Sequence, residues 1–346
     1  MRPAIIAAAI CGLGFSSPAI ARTWLVGPEQ AVKTPSEAAR RAGDGDLIEL
    51  EAVAGGYYDC AVWRQNNLTI EGIGKDVRIT DTTCQGKALF VIAGNEVTIR
   101  NLTFARARVA DGNGAGIRAE GGNLRIEQSR FVDNQVGVLA ADRPGAMITI
   151  RDSEFLANGA CRGSCTDALS VGVLAALRIE NCVFKDNHGR DAIRSRAAST
   201  VLVGNDIANG NDAAPGYLVE LPSGGSLLMQ RNSLEWRRER TGRDAAVFVA
   251  AGYGAHPVRE LVLRGNTGVV KATTGSGTVF LRNWTDQDTI VEDNTLSEGI
   301  TPVTSNGYYE FLAKSYLREF LSALRRIVHG VLSAAAHLVG FRPGFL

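Results

Sequence analysis

EVTIRNLTF, residues 96–104, returns as NLRIEQSRF at 123–131, MITIRDSEF at 147–155 and ALRIENCVF at 176–184. In each copy apolar and polar residues alternate, a short polar step interrupts, and a phenylalanine closes the unit. Alternation with a period of two marks a strand buried on one face. Weaker copies extend the series: NLTIEGI from 67, STVLVGNDI from 199, SLLMQRNSL from 226, ELVLRGNTG from 260 and DTIVEDNTL from 288. Their central apolar residues are Ile70, Ile99, Ile126, Ile150, Ile179, Leu202, Met229, Leu263 and Val291. Successive spacings are 29, 27, 24, 29, 23, 27, 34 and 28 residues.

A third short strand precedes most copies, as GIRAE (116), GVLAAD (137), ALSVG (168), AIRSR (192), YLVEL (217), AVFVA (246) and TVFLR (278). Three strands per repeat exclude helical and leucine-rich repeats. They suit a coil that adds one strand per turn to each of three parallel sheets, about 4.8 Å apart. The expected fold is all-β, a three-sheet solenoid of about nine to ten turns over residues 22–305. Inward side chains then form columns: the isoleucines, the phenylalanines (Phe104, Phe131, Phe155, Phe184, with Ile207 and Leu234 after them) and a small polar set. That set is Ser129, Ser153, Cys182, Asn205, Asn232, Asn266 and Asn294. Asparagine tolerates the left-handed backbone such a step needs, and stacked amides can hydrogen-bond along the column.

Residues 1–21 read as an export signal: Arg2, the short apolar run AIIAAAICGLGF (4–15), and the small-x-small site Ala19-Ile20-Ala21. That run is too short to span a bilayer comfortably. The exported chain is expected in the periplasm, at the cell envelope or outside the cell. In an oxidising compartment the cysteines left are Cys60, Cys84, Cys161, Cys165 and Cys182. CRGSC (161–165) reads as a local disulfide loop, because a second Cys or His pair at zinc spacing is missing. With 37 basic against 36 acidic residues the net charge is +1, which favours no nucleic-acid partner.

An open coil needs closed ends. PSEAARRAGDGDLIELEAVAGGYYDC (35–60) supplies a short cap helix, a turn and the first strand. This opening, the three-strand repeat and the asparagine column resemble the pectin-lyase-like superfamily of right-handed parallel β-helix proteins, over residues 23 to about 300. In such a coil Cys60 and Cys84, one turn apart, are expected to bridge. At the other end, residues 306–346 form a separate segment. Leu317, Phe320, Leu321, Leu324, Ile327, Val328, Val331 and Leu332 recur at helical spacing opposite Lys314, Arg318, Arg325 and Arg326. This predicts an amphipathic helix that caps the coil or, over 308–340, contacts a membrane surface or a protein.

The resemblance implies a substrate groove over the strands that follow the long loops. Its floor would hold Arg118, Asp142, Ser170, Arg194, Arg196 and Glu220, and its walls the loops at 105, 156, 185 and 208. For an acidic polysaccharide, a cation neutralises the sugar carboxylate, a base removes the adjacent proton and an acid assists the leaving oxygen. His188, Arg194 and Arg196 are the expected catalytic residues of a polyuronate lyase or epimerase, with His188 as base near neutral pH. Arg118, Asp142, Asp167, Asp191 and Glu220 are expected to bind substrate. Asp167, Asp191 and Glu220 could hold Ca²⁺ or orient the arginines. Hydrolysis by paired carboxylates ranks lower, since no tight Asp–Asp run is present. DNHGRD matches only loosely the Asp-x-His-x-Asp-Pro-His run of alginate epimerases. The alternative is a non-catalytic polysaccharide-binding or structural protein of the envelope.

Overall fold

The computed structural model describes residues 21–305 apart from 163, 211–215, 238–244, 253–255, 258–259, 272–277 and 286. The expected export signal, save Ala21, and the C-terminal segment 306–346 lie outside the described residues. The described chain winds into three all-parallel sheets of eleven, nine and ten strands, with one two-stranded hairpin at Cys161–Cys165. The first sheet runs from Thr23–Val26 to Thr289–Glu292, the second from Arg78–Thr80 to Thr295–Leu296, and the third from Ala61–Trp63 to Ile300–Thr304.

The repeat register is the structural register. Ile70, Ile99, Ile126, Ile150, Ile179, Leu202, Met229, Leu263 and Val291 are successive Cα partners along the first sheet. All but the last are fully buried. Phe104, Phe131, Phe155 and Phe184 line up likewise in the second sheet. Their rings stack with centroids 5.3, 4.7 and 4.5 Å apart. Such pairs add about 0.5–1.5 kcal/mol each beyond burial.

Between first and second sheet the chain turns on one left-handed residue per coil. Asn101, Gln128, Asp152, Asn181, Gly204, Arg231, Gly265 and Asp293 all have positive φ. This corrects one expectation: the residue before the polar column, not the column itself, takes the left-handed backbone. Column asparagines instead tie turns together. Asn232 Nδ2 donates to Leu202 O and to Asn266 Oδ1, both at 2.9 Å, while Asn232 Oδ1 accepts from Asn205 N and Nδ2. Cys182 joins through its backbone N–H, which donates to Asn205 Oδ1 at 2.9 Å. Buried amides satisfied in this way fix the turn spacing.

A second ladder stands where the second sheet ends. Asn134, Asn158 and Asn187 are buried, and each donates to the carbonyl of a phenylalanine one turn earlier: Phe104, Phe131 and Phe155. The sequence carried its signal, since FVDN, FLAN and FKDN repeat Phe-x-x-Asn in three consecutive units.

At the N-terminal end, helix α1 (Pro35–Arg41) is capped by Thr34, whose Oγ1 accepts from Glu37 N at 3.3 Å, with Pro35 at its start and Arg40 and Arg41 at its end. The first strand, Thr23–Val26, precedes this helix and pairs with Leu47–Glu51, so the coil begins earlier than the expected helix-then-strand order. Cys60–Cys84 and Cys161–Cys165 are disulfides, with Cα–Cα separations of 5.5 and 4.1 Å, and Cys182 is free and buried.

Candidate functional site

In the third sheet Ile193 and Ser195 point into the coil, so Arg194 between them points out. Register extends this outward column to Arg118, Leu139, Ser170, Arg194, Glu220 and Phe248 on successive turns. A groove of about 660 Å³ lies over it, lined by Arg118, Asp142, Arg143, Ser170, Arg194 and Arg196 among others. Four arginines thus line the groove, three of them beside a carboxylate: Arg118 at Glu120, Arg194 at Glu220 and Arg196 at Asp142. Elsewhere the outer surface matches its charges from turn to turn: Arg100 with Glu71, Arg130 with Glu154, Arg151 with Glu180, Lys185 with Asp206, and Arg264 with Glu292.

At one end of the groove three carboxyls converge on two guanidiniums. Arg190 Nε lies 3.0 Å from Asp191 Oδ2, and its Nη2 lies 3.3 Å from Asp167 Oδ1 and 3.4 Å from Glu220 Oε2. Arg194 Nε is 2.9 Å from the same Glu220 oxygen, without the angle of a hydrogen bond. Asp191 Oδ1 accepts from Tyr217 N at 2.8 Å. The side chains of Asp167, Asp191 and Glu220 are 6, 0 and 14 % exposed, too little for water to screen their mutual repulsion. Burial, followed by the Asp191 charge, raises Asp167 to about 7. Burial, followed by the charge and hydrogen bond of Asp191, raises Glu220 to about 8. Arg190 is pushed up by the three carboxylates against its own desolvation. Two cations balance two carboxylates, so the third carboxyl keeps its proton near neutrality.

Local structure fixes this cluster. The disulfide hairpin hangs from Ala160 and Thr166, which exchange backbone and side-chain hydrogen bonds. Thr166 O then accepts from Arg190 N at 2.7 Å. The small Cys161–Cys165 loop therefore braces the residue on which the carboxyls converge.

Among the expected site residues, Arg118, Asp142, Arg194 and Arg196 meet in the groove, with Arg196 Nη1 3.4 Å from Asp142 Oδ1. Asp167, Asp191 and Glu220 meet in the adjoining cluster. His188 does not line the groove. It sits exposed on the wall two residues before Arg190, with its backbone N–H donating to Asn158 O at 2.7 Å. For Ca²⁺ the cluster is a poor fit, because the Arg190 guanidinium occupies the point where the carboxyl oxygens converge. Among the described residues no group of three His, Cys, Asp or Glu side chains could hold a metal. Of the two roles expected for these carboxyls, orienting arginines is the one their geometry serves.

Sequence reading passed over three participants. Arg190 lies in the KDNHGRD loop and gave no periodic signal to separate it from surface charge. Arg143 enters the groove because the strand Arg143–Arg151 is lengthened by an excursion, with a register shift after Arg143. His256 places Nε2 3.2 Å from Arg196 O, so that nitrogen donates to the carbonyl. Arg196 also reaches Ser223 Oγ at 3.3 Å, and these contacts set its position from two turns downstream.

The chain resembles solved β-helix structures at low identity. The pectate lyase Pel9A matches with a TM-score of 0.54 and 14 % identity, covering 83 % of this chain and 79 % of its own. An alginate lyase from Paenibacillus sp. str. FPU-7 matches with a TM-score of 0.50 and 14 % identity, covering 81 % of this chain and 99 % of its own. No curated protein matches the sequence. A family model described as a right handed beta helix region matches residues 58–234, from the disulfide-bearing turns through the arginine groove. A chain whose repeats stack in register into three parallel sheets, and which that model covers over half its length, belongs to the right-handed β-helix family.

Proposed function

We propose that this protein binds an acidic polysaccharide in the arginine groove and cleaves or epimerises it by proton abstraction next to a uronate carboxylate. The observation that carries the reading is the concentration of arginine along the groove: Arg118, Arg143, Arg194 and Arg196 line it, and Arg143 makes no ion pair among the described residues. Two solved structures that the chain resembles in shape are a pectate lyase and an alginate lyase. In this reading Arg194 and Arg118 neutralise the carboxylate and acidify the neighbouring C–H. The arginines keep their protons at any working pH, so they do not serve as base. His188 on the wall is assigned that role. Glu220, protonated near neutrality, donates to the leaving oxygen.

The carboxyl cluster does not favour hydrolysis. Two-carboxylate glycosidases hold their groups about 5–5.5 Å or about 6.5–9.5 Å apart, with the scissile bond between them. Arg190 lies between Asp191 and Glu220, with Nε 3.0 Å from the first and Nη2 3.4 Å from the second, which leaves no room for a sugar. One observation favours a second reading, a binding protein of the envelope without turnover: His188 is not among the residues that line the groove. Export fits both readings, because two disulfides suit an oxidising compartment.

The test is a panel of polygalacturonate, alginate and a neutral glucan, with product followed by the absorbance of unsaturated sugar and binding by calorimetry. Arg194→Ala is expected to abolish both signals on the acidic polymers, and His188→Ala only the first. Binding of the neutral glucan as tight as that of the acidic polymers would overturn the proposal. Acidic-polymer binding without product or epimerised sugar selects the binding reading.

A further inference from the structure

The groove does not end at Arg143. On the far side of that residue lies a second cleft of about 600 Å³, between the Gly121–Gly122 turn and the excursion Arg143–Ala146, with Asn95, Glu120 and Asn123 on its floor. Arg143 lines both cavities. Its partners differ from those of every other groove arginine. Arg118 pairs with Glu120, Arg194 with Glu220 and Arg196 with Asp142. The Arg143 guanidinium touches only backbone carbonyls, Glu120 O at 2.8 Å and Asp142 O at 3.2 Å. Two carbonyls hold the guanidinium in place without cancelling its charge, so it retains full attraction for an anion.

Resting on the acidic-polysaccharide reading, we propose that the polymer rounds the corner of the coil at Arg143 and occupies this second cleft, with Arg143 binding a uronate carboxylate some sugars away from the one held by Arg194. The second cleft is thus a chain-length subsite for an anionic glycan. It makes long chains better ligands than short ones and leaves the chemistry at Arg194 unchanged.

Gly145 offers a test that leaves the scaffold alone, since a Cβ added there meets nothing within 4 Å. Oligogalacturonates and oligoguluronates of increasing length serve as probes, with affinity measured by calorimetry on the full chain. For long oligomers, Arg143→Gln and Gly145→Glu are each expected to lower affinity about three- to fivefold, and Gly145→Lys to raise it by a similar factor. For oligomers too short to leave the first groove, both Gly145 variants should equal the parent, and Arg143→Gln should lose less than it does on long ones. Equal effects at every length, or the same direction of change for Gly145→Glu and Gly145→Lys, would overturn the subsite. If the parent binds long and short oligomers equally, the subsite is wrong while the groove reading stands. If it binds neither series, the groove reading fails and the subsite with it.

Discussion

Glu220→Gln should make the protein more stable above neutral pH and flatten its pH dependence. Three carboxyls share two guanidiniums in the Arg190 cluster, and Glu220 is raised from its ordinary 4.5 to about 8. A carboxyl raised on folding binds its proton more tightly in the native state than in the unfolded one. Its contribution is therefore present in full below the unfolded value and is lost as pH rises towards the folded one. With one proton retained, the slope between roughly pH 5 and pH 7 is about 1.4 kcal/mol per unit, so stability falls by about 3 kcal/mol across that window. Carboxyls shifted the other way do not interfere. Asp46, Asp81, Glu120 and Glu180 are lowered, so their contribution is complete above the ordinary carboxylate range and disappears only below it.

Glutamine keeps the uncharged form at every pH, while Asp167 stays raised by burial and the Asp191 charge, so the variant's slope is reduced rather than abolished. Urea unfolding followed by tryptophan fluorescence at pH 5, 6, 7 and 8 reads the effect. A stacked coil need not unfold in one step, so midpoints of parent and variant are compared within each titration. The variant should match the parent near pH 5 and exceed it by about 3 kcal/mol near pH 8. A parent whose stability is flat or rises over this range, or a glutamine variant with the parent's slope, would refute the shared-proton account.

Arg190→Gln should be the opposite case. It leaves three buried carboxyls to one guanidinium, at a cost of about 3–5 kcal/mol at neutral pH that shrinks on acidification, measurable in the same titrations. Cys60→Ser with Cys84→Ser opens a loop of 24 residues and should cost about 3 kcal/mol, seen as a lower unfolding midpoint under oxidising conditions. Asn232→Ala removes both donors and the acceptor of a buried ladder rung, taking from Leu202 O its Asn232 donor and from the Asn205 backbone N–H its acceptor. It should cost about 3 kcal/mol or more and raise amide exchange in the turns on either side.

These perturbations divide along the line that separates what the residues announce from what only the coil assembles. The isoleucine and phenylalanine columns were legible because each turn repeats the same choice, and stacking in a parallel sheet turns sequence period into contact. The Phe-x-x-Asn ladder follows the same rule, since FVDN, FLAN and FKDN repeat its donor in three consecutive units. Its glutamine and asparagine neighbours vary, but the donor recurs. By contrast, Arg190, Arg143 and His256 each occur once. Arg190 acts on residues 23 and 30 positions away, and His256 on one 60 positions away.

A periodic reading averages over turns and so discards what a single turn does differently. In a fold whose scaffold is made of repetition, the site must lie where repetition fails. Here it fails in three places: the disulfide hairpin that braces Arg190, the excursion that brings Arg143 into the groove, and the turn at which one outward position changes from Ser170 to Arg194. Charge supports the same boundary. Where the repeat holds, outer arginines such as Arg100, Arg130 and Arg264 meet an acid one turn away. Where it breaks, four arginines gather along the groove, Arg143 among them without an ion pair in the described residues, and three acids crowd on two arginines in the buried cluster beside it. A polyanion binding there would meet Arg118, Arg143 and Arg196 at once. It would draw Arg194 away from Glu220 only to the degree that Glu220 holds its proton, so groove affinity and cluster protonation are one coupled equilibrium.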